Sequence, residues 1–163
     1  MISLLTHQVA VIILRMQMLK VIHLIIATSL LTSCSKEAPF QSLQDGLCSD
    51  NQQTLVSDHI SSQISAISKQ DWPLAYSFAA KSFQDSVDIF SFEVVITGSY
   101  PMLINNQGIS FGKCEIKDTS IFQEVTVNSG SEKSELLYKL TSVDQKLGVE
   151  AANIIEQSSA LTT

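Results

Sequence analysis

The apolar positions that follow Cys48 recur at helical spacing. A helix is predicted over residues 50–69, where Ser49 and Gln52 provide a capping box at the start. The apolar face of this helix consists of four residues at that spacing: Val56, Ile60, Ile64 and Ile67. Such a stripe is typical of an amphipathic helix that packs on a core.

Two shorter helices are predicted after the first. Asp71 is a suitable N-cap, and Pro73 is tolerated in the first turn of a helix that continues to residue 80. A third helix is predicted over residues 89–98, where Gly98 can end it. Three consecutive helices are therefore expected before Pro101.

Strand patterns replace helical ones after Pro101. Four segments there are rich in β-branched and aromatic residues and are separated by short polar turns. They cover residues 109–116, 121–128, 136–142 and 147–155. Helices followed by a run of antiparallel strands predict an α+β fold, in which about three N-terminal helices pack on a curved four-stranded antiparallel sheet.

The first 33 residues have the organisation of a bacterial lipoprotein signal peptide. Lys20 precedes an apolar run over residues 21–31, and the residues LTSC that end at Cys34 resemble a lipobox. The resemblance implies that the Cys34 thiol receives diacylglycerol before the leader is cleaved. Met18 would be a more usual start than the first residue. A transmembrane helix is the alternative, but the uncharged run after Lys20 is shorter than the roughly 20 residues that a span requires.

These features divide the chain into four parts. Residues 1–33 are the predicted signal peptide, and residues 34–47, with their proline, glycine, serines and glutamines, are predicted to form a lipidated flexible tether. Residues 48–157 are predicted to form one domain, since 163 residues suffice for a single ordinary core. Residues 158–163 are predicted to be a disordered tail.

The charge of the chain limits its partners. All 16 acidic residues lie beyond residue 33, and no arginine follows Arg15. So acidic a body is a poor candidate for binding nucleic acid or anionic headgroups, and it lacks the bidentate clamp that arginine offers phosphate. Because the surface itself is unsuited to membrane binding, we expect attachment through lipid on Cys34. The domain would be held at the cell membrane or an outer membrane and would face the periplasm or the exterior.

Two cysteines remain once Cys34 is assigned to lipid. Cys48 and Cys114 form an even pair in a chain that would fold in an oxidising compartment, which favours a disulfide between them. In the chain-entropy model, such a bridge stabilises the folded state by about 4 kcal/mol. The alternative is two separate buried thiols, since free cysteine is often simply apolar core.

Residues 64–115 resemble a bacterial family known as domain of unknown function 4864. The resemblance runs through the stretches QISAISKQDWPLAYSFAAKSF, FEVVITGSYPML and ISFGKCE. That family is similar to the nuclear-transport-factor-2-like superfamily, in which helices wrap a bent antiparallel sheet to form a cone. The resemblance implies a cone-like fold and, often, a ligand pocket between helices and sheet, but fold alone implies no activity.

Aromatic residues concentrate where the helices should meet the sheet. Six of them are candidates for lining a pocket or filling the core: Trp72, Tyr76, Phe78, Phe92, Tyr100 and Phe111. Core packing is the simpler interpretation, because aromatic side chains supply a large buried area without any ligand. Tyr76 and Tyr100 are the most informative, since a buried phenol needs a hydrogen-bond partner and could offer that bond to a ligand.

The sequence after the leader carries no catalytic or metal-binding motif. His59, the single histidine there, lies beside the apolar stripe, so a solvated or edge position is expected rather than a general base. One histidine and two distant cysteines do not make a zinc site. Asp85 and Asp88 are more typical of loop solvation and helix capping than of proton transfer. Neither a metal nor a cofactor is expected.

Three functions stay open on these grounds. The leading hypothesis is a non-enzymatic envelope lipoprotein that binds an apolar small ligand or another envelope protein. One alternative is a small isomerase or lyase acting inside the cone, with Tyr76, Tyr100 or an acid as proton carrier. The other is a structural or assembly subunit that forms a homodimer through its sheet face.

Replacing the lipobox cysteine tests the anchoring hypothesis. Cells fed a labelled fatty acid should label the wild-type protein and leave Cys34→Ala unlabelled, because only the Cys34 thiol is expected to accept lipid. Gel fluorography of the purified proteins provides the measurement. Equal labelling of the two proteins would contradict the hypothesis.

Overall fold

Helix α1, Asp50–Ser68, begins at the predicted capping box. The structure, a computed structural model, describes residues 38–159. Ser49 Oγ accepts from the Gln52 amide at 3.3 Å, and Gln52 Oε1 accepts from the Ser49 amide at 2.8 Å. The predicted apolar stripe is buried, which confirms this helix. The predicted signal peptide and Cys34 lie outside the described residues.

Four shorter helices follow, and no helix among residues 38–159 is long and apolar enough to cross a membrane. They are α2, Trp72–Ser77; α3, Lys81–Gln84; α4, Ile89–Ser99; and α5, Pro101–Ile104. Asp71 caps α2 through a bond from the Leu74 amide at 3.2 Å, as the sequence predicts. The predicted continuation of this helix to residue 80 is wrong, because residues 78–80 leave the helix to pair with a strand.

Within residues 38–159, the sheet has five antiparallel strands in chain order. They are β1, Gly46–Leu47; β2, Gly108–Lys117; β3, Ser120–Ser129; β4, Glu132–Val143; and β5, Lys146–Ser159. The mixed α+β class is confirmed, and the predicted count of four strands is wrong. Two residues are too few for β1 to show any periodicity in the sequence.

Part of the predicted flexible tether, residues 34–47, is packed on the domain. The Phe40 side chain is buried in the core, and its backbone N–H donates to Gln145 Oε1 at 3.2 Å. Gly46 and Leu47 pair with β2 as strand β1. The prediction of a tether is therefore corrected from residue 38 onward, because burial of Phe40 and strand pairing hold this segment in place. The far boundary also moves, since β5 continues to Ser159.

The core lies between the helices and one face of the sheet. Leu136, Tyr138 and Leu140 of β4 alternate with more exposed neighbours. Gln123 is a buried polar residue on this face, and its Nε2 donates to the carbonyls of Gly112 at 3.1 Å and Glu124 at 2.9 Å. A bulge interrupts β2 between residues 111 and 114, so this carboxamide serves a carbonyl that the bulge leaves out of the ladder.

The segment from Phe78 to Ala80 pairs with the edge of β5. The Val149 N–H donates to the Phe78 carbonyl at 3.0 Å, and the Ala80 N–H donates to the Val149 carbonyl at 2.8 Å. Gly148 makes this approach possible, since a Cβ added there would lie 2.5 Å from Ala80 Cα. A glycine is therefore required at position 148 by close backbone contact.

Two glycine substitutions test this contact. Gly148→Ala should lower the free energy of unfolding by about 1–3 kcal/mol, because the added methyl group overpacks against backbone. Gly98→Ala is the matched control: its Cβ would meet nothing within 4 Å, and a helical alanine should stabilise by about 0.5–1 kcal/mol. Urea unfolding of both variants measures the difference. A tolerated Gly148→Ala would show that the segment does not dock as described.

Candidate functional site

A cleft of about 260 Å³ opens between the helices and the β5 edge of the sheet. Its helical wall is mostly apolar and comprises Gln63, Ile67, Phe83, Phe92, Val95 and Ile96. Tyr138 and residues 149–153 form the sheet wall, with Ala79 and Tyr100 completing the lining. Val95 is 46% exposed, which places it at the mouth, whereas Phe92 and Ile96 are buried.

Tyr138 is the most deeply buried polar group of the cleft. Its side chain is 1% exposed, and its hydroxyl has no hydrogen-bond partner among the residues that the structure describes. Burial, with a smaller contribution from Tyr100, raises the pKa of the Tyr138 phenol above its ordinary value. The hydroxyl therefore stays protonated at neutral pH and keeps a hydrogen to donate.

Tyr100 fixes one end of the cleft. Its hydroxyl donates to the Ala152 carbonyl at 2.5 Å, which ties the end of α4 to β5. Because this phenol already has a backbone partner, it sets the distance between the two walls rather than offering a free hydroxyl. The interpretation of Tyr100 as part of a pocket wall is consistent with this position.

Tyr76 lies next to the cleft lining without being part of it. Its hydroxyl lies 2.6 Å from the Val87 carbonyl and 3.1 Å from the Gln84 carbonyl, so it closes the connection between α3 and α4. Its ring lies 5.7 Å from the ring of Phe92, centroid to centroid. Tyr76 therefore positions Phe92 without lining the cleft itself.

The structure brings two of the six predicted aromatic residues into the lining, Phe92 and Tyr100. Trp72, Phe78 and Phe111 are half-buried and are not part of it; Trp72 and Phe111 pack against the core. Sequence reasoning missed Tyr138, because strand alternation marks a buried position without showing that a cavity adjoins it. It also missed Gln63, although a glutamine one turn before Ile67 on the apolar stripe was an available signal.

Titratable groups are poorly placed for catalysis in this cleft. Both carboxylate oxygens of Glu150 are engaged, one by Lys139 Nζ at 2.7 Å and the other by Ser82 Oγ at 3.3 Å. Asp85 pairs with Lys81 on the surface, and Asp88 accepts from the Ser91 amide at the start of α4. The last contact makes Asp88 a helix cap and lowers the pKa of its carboxyl.

His59 lies outside the cleft lining, against Phe78. Its Nε2 is 2.9 Å from the Phe78 carbonyl, and its ring meets the Phe78 ring edge-on at a centroid distance of 5.2 Å. Burial lowers the pKa of His59 from 6.5, and the bond to the carbonyl only partly opposes that shift. The residue holds the segment that pairs with β5, which is a structural role.

A disulfide joins Cys48 to Cys114, with their Cα atoms 5.4 Å apart. The Cys48 N–H also donates to the Cys114 carbonyl at 3.1 Å, so the bridge continues the pairing of β1 with β2. It lies immediately before α1 and therefore connects the start of that helix to the sheet. Its position is structural and outside the cleft lining.

Comparison with known proteins identifies a family. A family model described as "Domain of unknown function (DUF4864)" matches residues 49–162, which is more than half of the chain. No curated protein and no solved structure matches the chain significantly. The match is wider than the stretch 64–115 that carries the resemblance in the sequence, and it includes every element that lines the cleft.

Acid titration tests the environment of His59. A histidine with a lowered pKa resists a proton that the unfolded chain accepts, so its contribution to stability is full above about pH 6.5 and is lost as pH falls. The wild type should therefore lose more free energy of unfolding than His59→Gln between about pH 8 and about pH 5. Urea unfolding across that range measures the loss in each protein. The contribution of the carboxyl groups cancels in the comparison, because both proteins share them. If the free energy of unfolding of the wild type rose relative to that of His59→Gln as the pH fell, the assignment would be contradicted.

Proposed function

The chain belongs to the DUF4864 family, whose description states no activity, and we propose that it is an exported, membrane-anchored lipoprotein whose domain binds an apolar small ligand in the cleft. The cleft is the observation that carries this proposal. Its lining is apolar apart from a few polar groups, which is the usual composition of a small-molecule site. The ligand-binding role is non-catalytic.

The size of the cleft limits the ligand. An apolar cavity of about 150 Å³ holds benzene, so 260 Å³ accommodates a molecule of about ten non-hydrogen atoms. A longer ligand would extend past Val95 into solvent. The occupant is therefore a small molecule or one end of a larger apolar one.

The proposed anchor leaves the cleft accessible. Cys34 lies four residues before Ala38, and Gln52 Nε2 donates to the Pro39 carbonyl at 2.7 Å, so the chain enters the domain near the start of α1. Gln63 is eleven residues further along that helix, or about 17 Å at the usual rise. Pro39, which follows the proposed anchor in the sequence, thus lies at the end of α1 that is remote from the cleft.

The proposed arrangement of the domain is a cone in the manner of the nuclear-transport-factor-2-like superfamily. Irregular pairing at residues 111–114 of β2 and twice between β4 and β5 supports this arrangement, because bulges bend strands and raise their twist. A bent sheet covered by helices on one face leaves a space between its edge strand and those helices. The cleft occupies that position.

Binding of another envelope protein is the second candidate. Ile89, Phe90 and Val94 are exposed on α4, and such apolar surface is typical of contact sites. The isomerase or lyase alternative has less support, because Tyr76 and Tyr100 already donate to backbone carbonyls. A homodimer through the sheet face stays a prediction.

Two adjacent valines of α4 test the ligand-binding proposal. Val95→Trp should fill the mouth of the cleft, whereas Val94→Trp, at a residue 53% exposed and outside the lining, should leave it open. Native mass spectrometry of the full chain purified from its own host should show a non-covalent adduct on the wild type and on Val94→Trp. The adduct should be at least about tenfold less abundant on Val95→Trp.

Three results would contradict the proposal. A wild-type protein without any adduct would remove its main support. An adduct that persists unchanged on Val95→Trp would place the ligand elsewhere, and its loss from Val94→Trp alone would favour the α4 surface.

A further inference from the structure

An unpaired donor lies at the floor of the cleft. The Tyr138 hydroxyl is protonated at neutral pH and bonds to no other described residue, although its side chain is 99% removed from solvent by burial on β4. Tyr138 lines the cleft, so its hydroxyl hydrogen is free to bond to an acceptor there, whether water or a ligand.

The electrostatics of the lining restrict that acceptor further. No lysine, arginine or histidine is among the lining residues that the structure describes, and the lining includes Glu150. A carboxylate or phosphate on a ligand would therefore lose its water without meeting a cation in the lining, and Lys139 beside Glu150 is already paired with that carboxylate. A neutral acceptor such as a ketone, ester or ether oxygen avoids that penalty.

Gln63 adds a second polar group on the opposite wall. Its side chain is 3% exposed, and its Nε2 makes one long contact, 3.4 Å, with the Ala75 carbonyl. A carboxamide can donate two hydrogens and accept two bonds, so this contact leaves capacity for a ligand. Tyr138 and Gln63 therefore present neutral hydrogen-bonding groups to one apolar space.

We propose that the cleft selects neutral, largely apolar molecules that carry a hydrogen-bond acceptor, and that the Tyr138 hydroxyl donates to this acceptor. The inference rests on the proposed function, because it names the ligand class of the same cleft. Tyr138 is a specificity-determining residue together with Gln63, since the apolar lining residues can contact any apolar molecule of suitable size. Hydrocarbons would bind through burial alone, and anions would be excluded.

Three probes of about ten non-hydrogen atoms separate these contributions: indane, 1-indanone and phenylacetate. Indane has no acceptor, 1-indanone has one neutral acceptor, and phenylacetate is an anion at neutral pH. Each is titrated into the full chain in lipid nanodiscs, in the wild type and in Tyr138→Phe, while the Ile96 methyl resonance reports occupancy. Comparing both proteins in identical nanodiscs cancels uptake of the probe by lipid.

The expected result is specific to one probe. Tyr138→Phe should lower the affinity for 1-indanone by about three- to tenfold, because the hydrogen bond is lost. The affinity for indane should change by less than about twofold, because apolar burial is kept. In the wild type, phenylacetate should bind at least about tenfold more weakly than 1-indanone. This second comparison needs no variant, and thermal melting checks that Tyr138→Phe is folded.

Contrary results fall into two distinguishable groups. If 1-indanone binds equally to both proteins, or phenylacetate binds as tightly as 1-indanone, the assigned ligand class is wrong although the cleft still binds. If none of the three probes shifts the Ile96 methyl resonance, the proposed function itself is overturned and the ligand class with it.

Discussion

The pairing of Phe78 to Ala80 with Val149 determines where the helices lie on the sheet. Two backbone hydrogen bonds of 3.0 and 2.8 Å attach this short extended segment to the edge of β5, and Gly148 permits the approach. The segment links α2 to α3, so its docking carries both helices to the sheet edge. His59 reinforces it by bonding to the Phe78 carbonyl. An edge strand that would otherwise be open is covered along part of its length.

The cleft is a consequence of where that pairing stops. Beyond Val149, the β5 edge no longer pairs with residues 78–80 and instead faces α4. The hydrogen bond from Tyr100 to Ala152 sets the distance between α4 and β5 there. Three tyrosines around this space differ in their hydrogen bonds. Tyr76 and Tyr100 donate to backbone carbonyls, whereas Tyr138 has an unsatisfied hydroxyl in the cleft floor. The proposed ligand class rests on this difference.

Local sequence rules predict most of this fold. The Ser49 box, the Asp71 cap and the strand over residues 136–142 each depend on neighbours a few residues apart, and each is confirmed. Features that depend on distant partners were not predictable. Strand β1 exists because Gly46 meets Ile116, and the second helix ends early because residues 78–80 meet β5.

The site was less predictable than the fold for the same reason. Phe92 and Tyr100 line the cleft, while Phe78 and Phe111 belong to other contacts. Hydrophobic periodicity reports which face of an element is buried, and it does not report whether that burial is complete. Tyr138 therefore looked like ordinary core, and its unpaired hydroxyl became visible only in three dimensions.

The most direct test of the central claim is whether the cleft is an accessible apolar space. Crystals of the protein pressurised with xenon provide the measurement, because xenon occupies apolar cavities of this kind. The account predicts a xenon peak between Ile96 and Ala152, above the Tyr138 ring. A cleft closed by the side chains of α4, with no xenon bound there, would contradict it.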